Sequence, residues 1–257
     1  MKNTIRQVSI IGSGNVAWHL AINFVKIGVK VSHIFGRNSA HVNSLCLETR
    51  AIHTKSITDL PKNQLIIICT PDHSILSLCK SIDSNCPIAY TSGSIAIESL
   101  PHRENLGVFY PLQTFSKHIE LELRKVPFFI ESTNEIFTHK LFVLASKITD
   151  TVTLANSKER SELHLAAVFV NNFTNHIVHK AQQYSESKSI DFNHLLPLLK
   201  ETVHKLDLDS AFNSQTGPAR RGDNAIIKKH TDHLEGSIKE LYRLISESIK
   251  ETYHDKL

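Results

Sequence analysis

The chain has 257 residues, 41% of them hydrophobic, with 29 basic and 25 acidic side chains giving a formal charge of +4. That length can bury roughly 70–75% of the unfolded surface in one large or two modest domains, and charges this balanced and scattered argue against a nucleic-acid or membrane-surface partner. Cys46, Cys69, Cys79 and Cys86 fit neither a zinc spacing nor a disulfide scaffold, no apolar run approaches the ~20 residues of a membrane helix, and the sixteen histidines follow no metal-ligand pattern. These features imply a cytoplasmic enzyme or regulator with reduced thiols and no metal.

In chain order, β-branched runs predict strands over 7–11, 29–35, 51–53, 64–69, 87–91 and 107–110, with helical spacing between most of them. In the first helix Val16, Ala17, Leu20, Ala21, Phe24 and Val25 form one stripe, which Gly28 is placed to end. The next carries Val42, Leu45 and Cys46 inward. Strands separated by helices at this rhythm imply crossover connections and a doubly wound parallel sheet covered on both faces. A strand over 127–131, a helix over 135–147 and a strand over 149–154 complete this part. From Ser157 onward only helical periodicity remains, over 158–184, 192–206 and 231–253. The expected organisation is an α/β domain over 1–155 and an all-α domain over 156–257.

The first strand leads into Gly12-Ser13-Gly14-Asn15-Val16-Ala17, which fits G-x-G-x-x-A between a strand and a helix. There Gly12 permits a tight turn, Gly14 allows a pyrophosphate to approach the backbone, and Ala17 lets the helix pack close to the sheet. The free N–H groups of Ser13, Asn15 and Val16 and the helix dipole favour the anion. An NAD site normally has an acid at the end of the second strand. Here that place reads Phe35-Gly36-Arg37-Asn38-Ser39. Arg37, Asn38 and Ser39 suit a 2′-phosphate instead, and one charge-assisted contact of roughly 1.5–3 kcal/mol would favour NADP(H) about ten- to a hundred-fold. Asn38 or Ser39 could equally cap a helix, with Arg37 solvated.

The later strand ends supply Thr70-Pro71-Asp72, Thr91-Ser92-Gly93-Ser94 and Tyr110-Pro111-Leu112-Gln113-Thr114-Phe115. Singly, Asp72 and Ser94 could be helix caps; together with the glycine turn these ends outline one crevice. Thr70, Pro71 and Ser92 are the candidates to line the coenzyme, and Ser94, Tyr110 and Gln113 to contact the substrate.

The segments "IIGSGNVAWHL", "TSGS", "GVFYPLQTFSK", "LHLAAVFVNNFTNH" and "QTGPARRGD" resemble a family of Rossmann-like bacterial proteins whose C-terminal half is a helical domain of unknown function. Their N-terminal half is similar to the coenzyme domains of pyrroline-5-carboxylate reductase, deazaflavin-dependent NADP oxidoreductases and ketopantoate reductase. The resemblance covers nearly the whole chain. It implies an NADP-binding protein of two domains that forms a homodimer through its helices, and it brings no substrate with it.

In a regular helix Val168, Asn171 and Asn175 would fall within about 40° of His164, with Asn172 and His179 further round the same side. Such a polar seam is costly unless paired or functional. It either satisfies itself at an interface or serves catalysis, with His164 supplying a proton and Asn171 or Asn172 orienting the substrate. Ketopantoate reductases and β-hydroxyacid dehydrogenases, which look like distant relatives, carry Lys four residues before Asn; here those places hold Ala167 and Val168. In the loop 215–223, Thr216, Arg220 and Arg221 could clamp an anionic substrate, or an arginine could pair with Asp223. The functional expectation is hydride transfer between NADPH and a small carbonyl or imine; the alternative is an NADP(H)-binding sensor or interaction protein without turnover.

Overall fold

The computed structural model describes residues 4–254. β1 (Gln7–Ile11), α1 (Asn15–Lys26), β2 (Lys30–Phe35), α2 (Ser39–Thr49) and β3 (Ile52–His53) are followed by β4 (Leu65–Ile68), α3 (Ile75–Ser81), β5 (Ile88–Tyr90) and β6 (Leu106–Pro111). β7 (Phe128–Ser132), α4 (Glu135–Ser146) and β8 (Val152–Leu154) complete an eight-stranded sheet ordered β3-β2-β1-β4-β5-β6-β7-β8. The first six strands are parallel in the order of a doubly wound dinucleotide fold. β7 runs antiparallel to β6 and parallel to β8, so the sheet is parallel in its major part rather than throughout. The segment between β6 and β7 carries only a short 3₁₀ turn at Leu123–Lys125, not the covering helix that a parallel crossover normally uses.

Each sheet face buries its own core. Ala17, Leu20 and Phe24 of α1, Val42 and Leu45 of α2, and Phe137, Leu141 and Leu144 of α4 cover one side with Phe109 and Phe128. Ile75 and Cys79 of α3 pack on Ile66, Ile68, Ile88 and Tyr90 on the other. β4, buried at all four positions, is the central strand that its unbroken apolar run predicts.

α5 (Ser157–Ala167) passes into a π-helical turn over Val168–Phe173 and then α6 (Thr174–Ser187), where the periodicity predicts one continuous α-helix. The chain's two compact units divide at this turn, between Asn172 and Phe173, whereas the change of periodicity lies near residue 155. α5 belongs with the sheet because Arg160 anchors it there: its fully buried guanidinium pairs with Glu131 of β7 and donates to the carbonyls of Ser92 and Ile95.

The second unit continues with α7 (Leu196–His204), α8 (Ala211–Ser214), α9 (Pro218–Arg221), α10 (Asn224–Asp232) and α11 (Gly236–His254). The helix expected over 231–253 is broken between α10 and α11, where Gly236 takes a left-handed φ of 59°. Within this unit Phe212 stacks on Tyr253 at 4.6 Å and Arg220 lies over the same ring. No helix among the described residues is long and apolar enough to cross a membrane.

Candidate active site

The turn between β1 and α1 is fixed by close packing. Gly12 adopts φ +126°, its N–H donates to Phe35 O at 2.7 Å, and a Cβ here would lie 2.2 Å from Cys69 O. Only glycine fits, and the strain it avoids comes from the neighbouring strand's exit rather than from a ligand. Ser13 sits behind the turn, 3.2 Å from where a Cβ on Gly36 would stand. Gly14 is the N-cap of α1; no side chain caps that helix and no acid lies in its first turn. A Cβ at Gly14 would meet nothing within 4 Å. The positive end of a twelve-residue helix therefore opens onto free space.

That space is a cavity of about 770 Å³ at the carboxyl ends of the parallel strands. Gly14, Asn15 and Val16 form one wall; Cys69, Thr70, Pro71 and Thr91 follow from β4 and β5; Tyr110 and Leu112 to Phe115 come from β6 and its loop. The remaining wall is α5 and the π turn, with Leu163, His164, Ala166 to Val168 and Val170 to Asn172. The loop after β6 is tied back onto α1, where Asn15 Nδ2 donates to Phe115 O at 2.7 Å and His19 contacts Ser116 O at 3.0 Å.

Two polar groups distant in sequence meet inside this cavity: Tyr110 Oη and His164 Nδ1 lie 2.9 Å apart. Gly93 makes room for them, since a Cβ there would fall 2.7 Å from Tyr110 Cζ and 2.9 Å from His164 Nδ1. Burial, with a smaller push from the Asp72 carboxylate, raises the Tyr110 phenol to about 12 against an opposing effect of Arg160. Burial also pushes the Cys69 thiol up to about 12, so this cavity-lining cysteine is no nucleophile near neutral pH.

The cavity thus gathers Gly14, Asn15, Val16, Thr70, Pro71, Tyr110, Gln113, His164, Asn171 and Asn172 from the sequence candidates. Asn171 and Asn172 both reach it because a π turn advances the chain by fewer degrees per residue than the α-helical rule assumes. Asn175 lies beyond the unit division, in α6. Ser92 is not a wall residue: its buried Oγ accepts from the N–H groups of Ser94 and Ile95, both at 3.1 Å, and so shapes the loop after β5. Ser94 itself is exposed. Arg37, Asn38 and Ser39 stand outside the cavity at the end of β2; Asn38 caps α2 by accepting from His41 N–H at 3.0 Å. Thr216 and Arg220 belong to the second unit. Arg220 donates from Nη1 to the carbonyls of Asn213 and Gln215 and lies over the Tyr253 ring, and Asp223 caps α10 by accepting from Ile226 N–H.

A solved structure named "putative NADP oxidoreductase", from Bacteroides fragilis, is 31% identical to this chain, covers 96% of it and 98% of its own length, and superposes with a TM-score of 0.87. The chain belongs to that protein's family. A profile for a domain of unknown function, DUF2520, matches residues 126–249. More remote likenesses share the fold: a protein from Thermotoga maritima at 18% identity (97% and 99% covered, TM-score 0.72), and a pyrroline-5-carboxylate reductase from Coxiella burnetii at 13% (98% of each chain, TM-score 0.59). An imine reductase variant from Myxococcus stipitatus, solved in complex with NAD+, is similar at 14% identity over 98% of this chain and 96% of its own, with a TM-score of 0.62. No curated protein matches the chain.

Within this oxidoreductase fold, sequence reasoning missed the Arg160–Glu131 pair, the clearance at Gly93 and the wall residue Cys69, whereas Thr91 lies at the crevice as its strand exit predicts. Gly93 stood in the "TSGS" strand exit and could have been suspected of a close approach. The Arg160 pairing leaves no local signal, because its partners lie 29 to 68 residues away.

Proposed function

We propose that the protein is an NADP(H)-dependent oxidoreductase that acts on a small carbonyl or imine substrate, works in the cytoplasm and assembles as a homodimer through its helical unit. One observation carries the reading: the uncapped, acid-free start of α1 opens into the same cavity as the Tyr110–His164 pair. The residues present fit a nicotinamide dinucleotide. The unfilled space over Gly14 suits a pyrophosphate held by the first N–H groups of α1. Arg37, with Asn38 and Ser39, follows Gly36 beside that turn and suits a 2′-phosphate. Thr70 and Pro71 would line the nicotinamide half.

When bound, the coenzyme supplies the hydride. His164 is held by Tyr110 through Nδ1, which leaves Nε2 to pass a proton to the substrate's nitrogen or oxygen. Tyr110, kept neutral by its burial, is a positioning residue for that ring. Asn171, Asn172 and Gln113 orient the substrate, and the half-buried Leu112, Phe115 and Val168 exclude water. Four free thiols suit a reducing compartment. The dimer is supported by the exposed apolar side chains of the helical unit, among them Leu198, Leu206, Leu208 and Leu244.

Titrating purified protein with NADPH and NADH by nicotinamide fluorescence tests the reading. Arg37→Ala is expected to weaken NADPH about ten- to a hundred-fold and NADH hardly at all. Equal losses for both would remove the 2′-phosphate assignment, and absence of binding by either would remove the function. Binding without consumption against a panel of ketones, keto acids and imines would favour the non-catalytic alternative.

A further inference from the structure

We infer that Lys117, on the loop after β6, is the side chain that holds the coenzyme's pyrophosphate against the start of α1. The inference rests on the dinucleotide reading above and adds to it a binding residue outside the glycine turn and the β2 exit. A second groove, of about 490 Å³, is lined by Trp18 of α1, His41 and Ser44 of α2, and Lys117 and His118. It shares Gly14 and Asn15 with the large cavity, so an anion at the open helix start faces both hollows. Arg37, Asn38 and Ser39 line neither of them.

The loop reaches this point under restraint. Asn15 Nδ2 donates to Phe115 O at 2.7 Å and His19 meets Ser116 O at 3.0 Å, so Lys117 directly follows two residues tied to α1, and it is half-buried. Its Nζ lies 5.6 Å from the centre of the Trp18 ring, one helical turn beyond Gly14. A ring face steadies an ammonium without neutralising it. Among the described residues Lys117 enters no ion pair. Glu120 of the same loop pairs with Lys26 at the far end of α1, and no residue lining the groove is acidic. A cation without a counter-ion thus stands beside a helix start without an acid, and both favour an anion with several oxygens to share. In a dinucleotide that group is the pyrophosphate, which the wall common to the two hollows can receive. The phosphates are then divided between two cations: Arg37 tells NADPH from NADH, and Lys117 serves both alike.

Fluorescence titration of the full-length protein with NADPH and with NADH, at low ionic strength, tests this division. Lys117→Gln is expected to weaken both coenzymes by the same factor, about tenfold. Lys117→Arg, which keeps the charge, is expected to bind both within about twofold of the unaltered protein. An unchanged Lys117→Gln affinity, a loss confined to NADPH, or a Lys117→Arg protein as weak as Lys117→Gln would overturn the inference and leave the dinucleotide reading standing. The second of these outcomes would give Lys117 to the 2′-phosphate instead. Failure of the unaltered protein to bind either coenzyme would remove that reading, and this inference with it.

Discussion

The sheet-bearing unit and the helical unit of this chain are held together differently. In the first, two clusters of buried side chains sandwich the sheet, and Arg160, one of its two buried arginines among the described residues, pairs with Glu131 and donates to two carbonyls. In the second, Ala219 and Leu234 are the buried hydrophobic residues among those described, while Leu198 and Leu208 are 65% and 75% exposed. Its order rests on caps, on the Phe212–Tyr253–Arg220 stack and on turn hydrogen bonds. A self-contained core keeps the site rigid, whereas the exposed apolar side chains of the helical unit are what the proposed homodimer would cover.

The largest expected effect tests the self-sufficiency of the first unit. Glu131→Gln leaves the Arg160 charge buried without its counter-ion, and should cost about 3–5 kcal/mol in urea-induced unfolding followed by sheet-unit signals. A loss within experimental error would mean that the pair does not hold α5 to the sheet. Gly12→Ala comes next. Its Cβ would meet the Cys69 carbonyl at a backbone angle that disfavours side chains, so a loss of about 1–3 kcal/mol and weaker coenzyme binding are expected.

Titration of the buried pocket sharpens the contrast further. The Tyr110 phenol, normally near 10, is raised to about 12 in the folded protein. The native state therefore keeps a proton that the unfolded chain releases. The resulting contribution to stability is complete below pH 10 and is lost as pH rises through 12. Tyr110→Phe should flatten the decline in stability across that alkaline window, and an unchanged slope would place the phenol in water. Likewise iodoacetamide at pH 8 should leave Cys69 unlabelled in the folded protein and label it after denaturation, because the buried thiol is held near 12. The smallest effect on the first unit belongs to the second: Leu208→Glu should shift its unfolding by no more than about 0.5 kcal/mol. Sedimentation should nevertheless report monomers in place of dimers.

Much of this architecture is written in local chemistry. The strand-glycine-helix sequence over 7–26 specifies its own geometry, since alternation, a positive-φ glycine and a 3.6-residue apolar stripe all act within a few residues. The unbroken apolar run of β4 announces a strand buried on both faces for the same reason, and the polar strand exits point to one crevice. By itself, then, the sequence determined the doubly wound sheet, the anion-seeking helix start and the candidacy of His164. Tertiary structure decided the reversal of β7, the π turn that presents Asn171 and Asn172 together, the Tyr110–His164 contact across 54 residues of chain, and the diversion of Ser92 and Arg220 to structural tasks. Each of these depends on which distant backbone or charge comes within hydrogen-bond reach after the sheet closes, and a periodicity read along one segment carries no information about that neighbour.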